Sequence, residues 1–134
     1  MPRHPLLEEL ARLGLPAGDY AVFGSGPLLA RGWIDDAGDL DIVARGAAWA
    51  AARRLGVEEY LDEWDVTVVN IGPDITVGTR WAIGDVDVDA VIDGAEMIDG
   101  LPFASLEAVI TYKRISARPK DLAHLAIIDE HLED

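Results

Sequence analysis

The 134-residue chain has no cysteine, no long apolar run and few basic residues. The lack of cysteine excludes a disulfide scaffold, a zinc–thiolate site and a cysteine nucleophile. A membrane-spanning helix needs about 20 consecutive apolar residues, and no stretch of the sequence approaches that length. The first residues, 1–14, are interrupted by proline and carry Glu8 and Glu9, which is not the pattern of a signal peptide. We therefore expect a soluble cytoplasmic protein.

The shortage of basic residues gives a formal net charge of −14 at pH 7. Such a charge repels nucleic-acid phosphates and anionic membranes, which disfavours direct nucleic-acid binding without excluding it. Nucleotides remain possible ligands because divalent cations bridge carboxylates to phosphates. The basic residues are also unevenly spread, since Arg80 is the only one between Leu55 and Tyr112. Four others follow within one short stretch: Lys113, Arg114, Arg118 and Lys120.

Half of the residues are hydrophobic, which is enough for a single globular domain over residues 1–134. Helical spacing predicts helices, and alternation or β-branched runs predict strands. The predicted helices are 6–13, 28–31, 47–55, 105–117 and one from Pro119 onward with Leu122, Leu125, Ile128 and Leu132 inward; the predicted strands are 19–23, 39–43, 66–71, 74–77 and 86–92. This order predicts an α/β (α+β) fold, in which helices pack on a mixed sheet of four to five strands and two helices end the chain.

Two predicted strands carry carboxylates at alternate positions. Asp39 and Asp41 share one face of their strand, because side chains alternate across a strand, and Asp87 and Asp89 do the same on the later one. If the strands are neighbours, these like charges repel, and a divalent metal with oxygen ligands is the natural counter-charge. The alternative is a solvated acidic face.

The turn from Gly24 to Gly26 follows a predicted strand and opens a predicted helix. Backbone N–H groups at such a turn bind anions, and glycine lets a phosphate approach closely. The turn matches neither a P-loop nor a G-x-G-x-x-G fingerprint. By itself it also fits an ordinary strand–helix connection.

Together the turn and the acid pair resemble a known family. Phe23-Gly24-Ser25, followed after thirteen residues by Asp39-Leu-Asp41, is similar to the signature of the DNA polymerase beta-like nucleotidyltransferase superfamily. The resemblance implies a nucleotidyltransferase-like fold. It further implies that Gly24 and Ser25 hold a nucleoside triphosphate and that Asp39 and Asp41 bind Mg²⁺ or Mn²⁺.

The resemblance also implies a third metal-binding acid from a later strand. Asp87 matches best, and Asp89 is its rival. The same stretch, Asp85-x-Asp87-x-Asp89, mimics an EF-hand calcium loop at most ligand positions. Ala90 stands where that loop needs glycine for its sharp turn, so a calcium loop is disfavoured.

The C-terminal part strengthens the resemblance. Segments 101–114 and 117–122 are similar to the tail of small bacterial members, among them nucleotidyltransferase toxins of abortive-infection type toxin–antitoxin systems. In those relatives a Lys and an Asp at such positions belong to the active site. This implies that Lys113 takes part in catalysis and nucleotide binding and that Asp121 takes part in nucleotide binding.

Lys113 is also singled out by its position on a helix. It lies on the same stripe as Leu106, Val109 and Ile110, and Lys is almost never buried without a partner. It would then reach a carboxylate or a phosphate; the alternative is a side chain that snorkels at the edge of the stripe. His124 belongs to no readable motif and is expected only to be partly buried.

We expect a Mg²⁺-dependent nucleotidyltransferase that moves a nucleoside monophosphate from an NTP, such as ATP, to an acceptor hydroxyl and releases pyrophosphate. The acceptor stays open among tRNA, a protein and a small molecule. A partner protein or a second copy of the chain is expected to complete the acceptor site. The alternative is a catalytically silent nucleotide-binding or protein-interaction module of the same fold, because Gly26-Pro27 stands where many small relatives have Arg.

Overall fold

The computed structural model describes residues 4–63, 65–80 and 87–132. The helices in these ranges are α1 (Pro5–Leu13), α2 (Gly26–Ala30), α3 (Gly46–Leu55), α4 (Val88–Asp93), α5 (Leu106–Ser116) and α6 (Pro119–Leu132). The strands are β1 (Tyr20–Phe23), β2 (Leu40–Ala44), β3 (Val57–Leu61), β4 (Val66–Ile71), β5 (Ile75–Gly78), β6 (Glu96–Ile98) and β7 (Leu101–Phe103). None of the helices in this part of the chain is both long enough and apolar enough to cross a membrane.

The strands form one mixed sheet in the order β3-β4-β5-β2-β1-β7-β6. At its centre β1 and β2 run antiparallel, and Phe23 lies opposite Asp41. β5 runs parallel to the other edge of β2, and β7 runs parallel to β1. The end of β1 and the start of β2 therefore lie side by side in the middle of the sheet.

Helices cover both faces of the sheet, and the alternation of side chains decides which residues meet which helices. Val22 and Ile42 belong to a core cluster with α1 and α3. Ala21, Phe23 and Val43 belong to a second cluster with α4, α5 and α6. Because Asp41 lies two residues before Val43 and opposite Phe23, it projects on the face covered by α4, α5 and α6.

The predicted mixed α/β architecture with two C-terminal helices is confirmed, but the predicted count of four to five strands is wrong. The described residues form seven strands. β3 shows no alternation because it is an edge strand whose residues are exposed on both faces. β6 and β7 have only three residues each, too few for a periodic pattern to be read.

The predicted strand over 86–92 is wrong in its described part, because residues 88–93 form α4. Asp87 precedes the helix, and its side chain accepts a hydrogen bond from the backbone N–H of Ala90 at 3.1 Å. An N-cap of this kind favours helix, and it prevailed over the alternation of the sequence. Residues 85 and 86 lie outside the described residues.

The predicted apolar face of α6 is also partly wrong. Leu122 and Leu132 are 54% and 58% exposed, whereas Ile128 is buried as expected. The other buried positions of the helix are polar: Asp121 and His124. Polar side chains take these positions because they are bonded to a buried Lys on α5, as described next.

Candidate nucleotide site

The candidate site begins at the turn after β1. Gly24 has a φ of +64°, in the left-handed region that favours glycine. Its backbone lies against Asp41, because a Cβ placed on Gly24 would be only 3.2 Å from Oδ2 of that carboxylate. Ser25 follows, is 7% exposed and begins α2. The structure thus brings the turn of the sequence motif into direct contact with one acid of the motif.

The two carboxylates of the motif stand at the start of β2. Asp39 precedes the strand and is exposed, whereas Asp41 lies within it and is half-buried. Leu40 and Ile42 point to the opposite core cluster, so the two acids share one face as expected. Burial, followed by the charge of Asp39, raises the pKa of Asp41 to about 6.

Three basic residues from the C-terminal helices act on this acid pair. The charges of Lys120, Arg118 and Lys113 each lower the pKa of Asp41, although they do not offset its burial. These residues follow Asp41 by more than 70 positions in the sequence. The packing of α5 and α6 on the sheet therefore assembles an acidic and a basic group of side chains at one place.

The two candidate third acids, Asp87 and Asp89, each have another partner. Asp87 caps α4, and Asp89 is bound by Arg45, with 2.8 Å between the guanidinium Nη1 and Oδ1. Arg45 follows the far end of β2 from Asp41. Within residues 4–63, 65–80 and 87–132, no group of three or more His, Asp or Glu side chains could hold one metal ion. The helix over 88–93 also interrupts the stretch that mimics a calcium loop.

Lys113 is buried inside the hairpin of α5 and α6, not snorkelling at the edge of the stripe. It is 1% exposed, and its Nζ lies 3.4 Å from Oδ1 of Asp121 and 3.0 Å from Nδ1 of His124. Burial lowers the pKa of this Lys, and the charge of Asp121 opposes that shift. A buried cation therefore has a carboxylate and an imidazole as partners.

Asp121 also connects the buried Lys to the protein surface. Its Oδ2 accepts hydrogen bonds from the backbone N–H of Arg118 at 3.3 Å and from its Nε at 3.0 Å. Burial raises the pKa of Asp121, but interactions with the side chains of Ser116 and Arg118 and the charges of Lys113 and Arg118 lower it to about 2. Because the side chain of Arg118 is 59% exposed, the network ends in a cation that a ligand can reach.

An aromatic contact links the Gly24 turn to α5. The rings of Phe23 and Tyr112 meet edge to face, with 4.8 Å between their centroids. Tyr112 also lines a cleft of about 380 Å³ between α4 and α5, together with Asp87, Ser105 and Thr111. Its lining also includes apolar Val91 and acidic Glu107, and the contact of Tyr112 with Phe23 connects it to the candidate site.

His124 is the member of the site that sequence reasoning missed. The sequence did contain a signal, because positions 121, 124 and 128 fall on one face of a helix. A search for apolar spacing passes over that face, because two of its three residues are polar. Their burial becomes understandable only when Lys113 is known to lie opposite them.

Comparisons of the chain with protein-family models, with curated proteins and with solved structures gave no match.

Proposed function

We propose that the protein is a Mg²⁺-dependent nucleotidyltransferase, which transfers a nucleoside monophosphate from an NTP to an acceptor hydroxyl and releases pyrophosphate. One observation carries the proposal. Asp41 has the Gly24 backbone against its carboxylate and feels the charges of Lys113, Arg118 and Lys120. A site with adjacent acidic and basic parts is complementary to a ligand that combines a metal cation with phosphates.

The acidic part fits a hard divalent cation. Asp39 and Asp41 offer carboxylate oxygens, the ligand type that Mg²⁺ prefers. Burial, followed by the charge of Asp39, raises the pKa of Asp41, and a bound cation would relieve the repulsion between the two carboxylates. When bound, Mg²⁺ supplies charge neutralisation on the triphosphate and polarisation of the acceptor hydroxyl.

The turn and the basic part fit the phosphates. Gly24 lets phosphate oxygens approach the backbone closely, since it carries no side chain. A guanidinium has five N–H donors, so Arg118 can bind Asp121 through Nε and still donate to a phosphate. Lys120 is exposed beside it. These groups would hold the triphosphate and stabilise the negative charge that develops on the leaving pyrophosphate.

In the reaction, the acceptor oxygen forms a bond to the α-phosphorus while the bond from that phosphorus to the bridging oxygen breaks. Pyrophosphate carries away the electron pair, and the acceptor proton passes to solvent water. The chain's contribution is mainly positioning and charge stabilisation.

The first experiment is a thermal-shift assay with each of the four NTPs, with and without Mg²⁺. A ligand at 100 times its Kd stabilises the folded state by about 2.7 kcal/mol, so a clear rise in Tm is expected for one or more NTPs when Mg²⁺ is present. The double variant Asp39→Asn/Asp41→Asn should lose that rise. Asp62→Asn/Glu63→Gln is the matched control, since it removes the same charge from exposed residues after β3 and should keep the rise.

Pyrophosphate release then separates transfer from binding alone. We expect Mg²⁺-dependent release from the bound NTP when tRNA, protein and small-molecule acceptors are supplied, and no release in the double variant. No thermal shift with any NTP would overturn the proposal. Binding without release, across all three acceptor classes, would favour the catalytically silent module.

A further inference from the structure

His124 is a buried polar group to which the proposed reaction assigns no role. Its Nδ1 lies 3.0 Å from Nζ of Lys113, closer than Oδ1 of Asp121 at 3.4 Å. When Lys113 is charged, as its pairing with Asp121 favours, it only donates hydrogen bonds, so Nδ1 is the acceptor. The imidazole is therefore neutral and carries its proton on Nε2.

The geometry of the helical hairpin explains why these groups meet. Lys113 lies in the last turn of α5, and Ala117, with a φ of +49°, ends that helix. α6 begins two residues later. Asp121 and His124 are three positions apart on α6, so they project from one face, and that face receives the ammonium.

We propose that His124 is a positioning residue for Lys113: its neutral imidazole accepts a hydrogen bond that keeps the buried ammonium charged and fixed where its charge acts on Asp41. The consequence for triphosphate binding rests on the proposed function. The hydrogen bond and its effect on the Lys do not, so the two can be tested separately.

Asp121 alone is a poor anchor for the buried ammonium. Its Oδ1 is 3.4 Å from Nζ, beyond the usual range for a charge-assisted hydrogen bond. Its Oδ2 is engaged by Arg118. A buried ammonium with too few acceptors loses its proton more readily, so the second acceptor on His124 matters for the charge.

The charges around His124 agree with a neutral ring. The charged groups that act on it are Lys113 on α5 and Lys120 and Asp121 on α6. Burial, followed by the charge of Lys113, lowers the pKa of His124. Protonation of His124 would place a second cation against the Lys113 ammonium and would remove its hydrogen-bond acceptor. Both effects disfavour the protonated ring.

The sequence makes a direct test possible, because Lys113 and Lys120 are the only two lysines in the chain. Labelling lysine with ¹³C at Cε gives one signal for each, and the exposed Lys120 serves as the internal reference. Three variants separate the possible effects. His124→Leu removes the acceptor, His124→Asn keeps one near the position of Nδ1, and His124→Gln moves it to the position of Nε2.

The pH at which Lys113 loses its proton should depend on where residue 124 places a hydrogen-bond acceptor, and not on whether that residue is polar. We expect His124→Asn to titrate close to wild type, and His124→Leu and His124→Gln to lose the proton at about one pH unit lower, a tenfold change in the protonation equilibrium. The signal of Lys120 should not move. An unchanged Lys113 titration in folded His124→Leu, or rescue by Gln but not by Asn, would overturn the inference.

The second readout is the affinity for inorganic triphosphate with Mg²⁺, measured by calorimetry. Above the measured Lys113 midpoints of both proteins, His124→Leu should bind up to about tenfold more weakly than wild type, and well below both midpoints, where both proteins keep the proton, the loss should disappear. His124→Asn should stay within about threefold of wild type at both pH values. If His124→Leu loses the same affinity for triphosphate at both pH values, the loss does not come from the charge of Lys113, and that result would contradict the inference. If wild type itself does not bind triphosphate, the proposed function fails, and the lysine titration still decides the inference.

Discussion

Replacing Asp41 with Asn should stabilise the protein at neutral pH when no metal is present. Burial and the neighbouring charge of Asp39 raise the pKa of Asp41 from 3.8 to about 6. A pKa that rises on folding means that the ionised carboxylate is less favourable in the folded state than in the unfolded chain. Asn keeps the size and the hydrogen-bonding capacity of the side chain without its charge.

The size of the effect follows from that pKa change. The rise from 3.8 to about 6 corresponds to about 3 kcal/mol, at about 1.36 kcal/mol per pKa unit. Below about pH 4 the carboxyl keeps its proton in both states and costs nothing. Between about pH 4 and 6 the unfolded chain has released the proton and the folded protein has not, so the stability of the wild type falls as the pH rises; above about pH 6 the cost is complete.

Urea denaturation in EDTA, at about pH 4 and about pH 7.5, would test this reasoning. Asp41→Asn should exceed wild type by up to about 3 kcal/mol at the higher pH and by little at the lower one. Asp39→Asn is the matched control, because the same charge is removed from the same face at an exposed position, and its gain should stay below about 1 kcal/mol. A gain for Asp41→Asn that is absent at the higher pH, or equal at both, would refute the argument.

Three further outcomes are expected. Lys113→Met should lower the free energy of unfolding by about 1–3 kcal/mol in urea titrations, because buried Asp121 and His124 lose a hydrogen-bond donor while Arg118 still pairs with Asp121; an unchanged midpoint would mean that the buried pair adds no stability. Gly26→Ala should destabilise by about 1–3 kcal/mol, because the new Cβ would lie 2.3 Å from Cγ1 of Val22. Gly38→Ala, where a Cβ meets open space, is its control and should change the midpoint little. Calorimetry should show Mg²⁺-dependent NTP affinity falling below about pH 6, as protons compete with the metal for Asp41; an affinity constant down to pH 5 would contradict that competition.

The sequence predicted best the elements whose local signals agree with each other. Residues 66–71 are mostly β-branched and form β4 with the predicted bounds. Ser105 caps α5 as expected, with its Oγ accepting a hydrogen bond from the N–H of Ala108 at 3.2 Å. At 88–93 two local signals conflict, since alternation favours strand and the Asp87 cap favours helix. The cap prevailed, and Val91 and Ile92 are the residues that α4 buries.

The candidate site was predictable where its members are close along β1 and β2. The contact between Gly24 and Asp41 follows from one antiparallel pair, whose register places Phe23 opposite Asp41. The position of His124 depends instead on how α5 and α6 pack against each other. Apolar spacing placed Leu122 inward, but a buried Lys on the facing helix required polar partners, so the hydrophobic pattern indicated the wrong face.

If the protein binds a metal and a triphosphate as proposed, the charges of the site favour their binding together. Ionised Asp41 is unfavourable in its present surroundings, and its cost falls if a cation is bound beside it. Arg118 and Lys120 present cations at the surface of a chain with a net charge of −14, whose overall field opposes a free triphosphate. A metal alone would satisfy the acids and add to the repulsion of the nearby cations, whereas a triphosphate alone would satisfy the cations and meet the acids. Only a ligand that carries both charges satisfies both groups of side chains, so each component should raise the affinity for the other by the same factor.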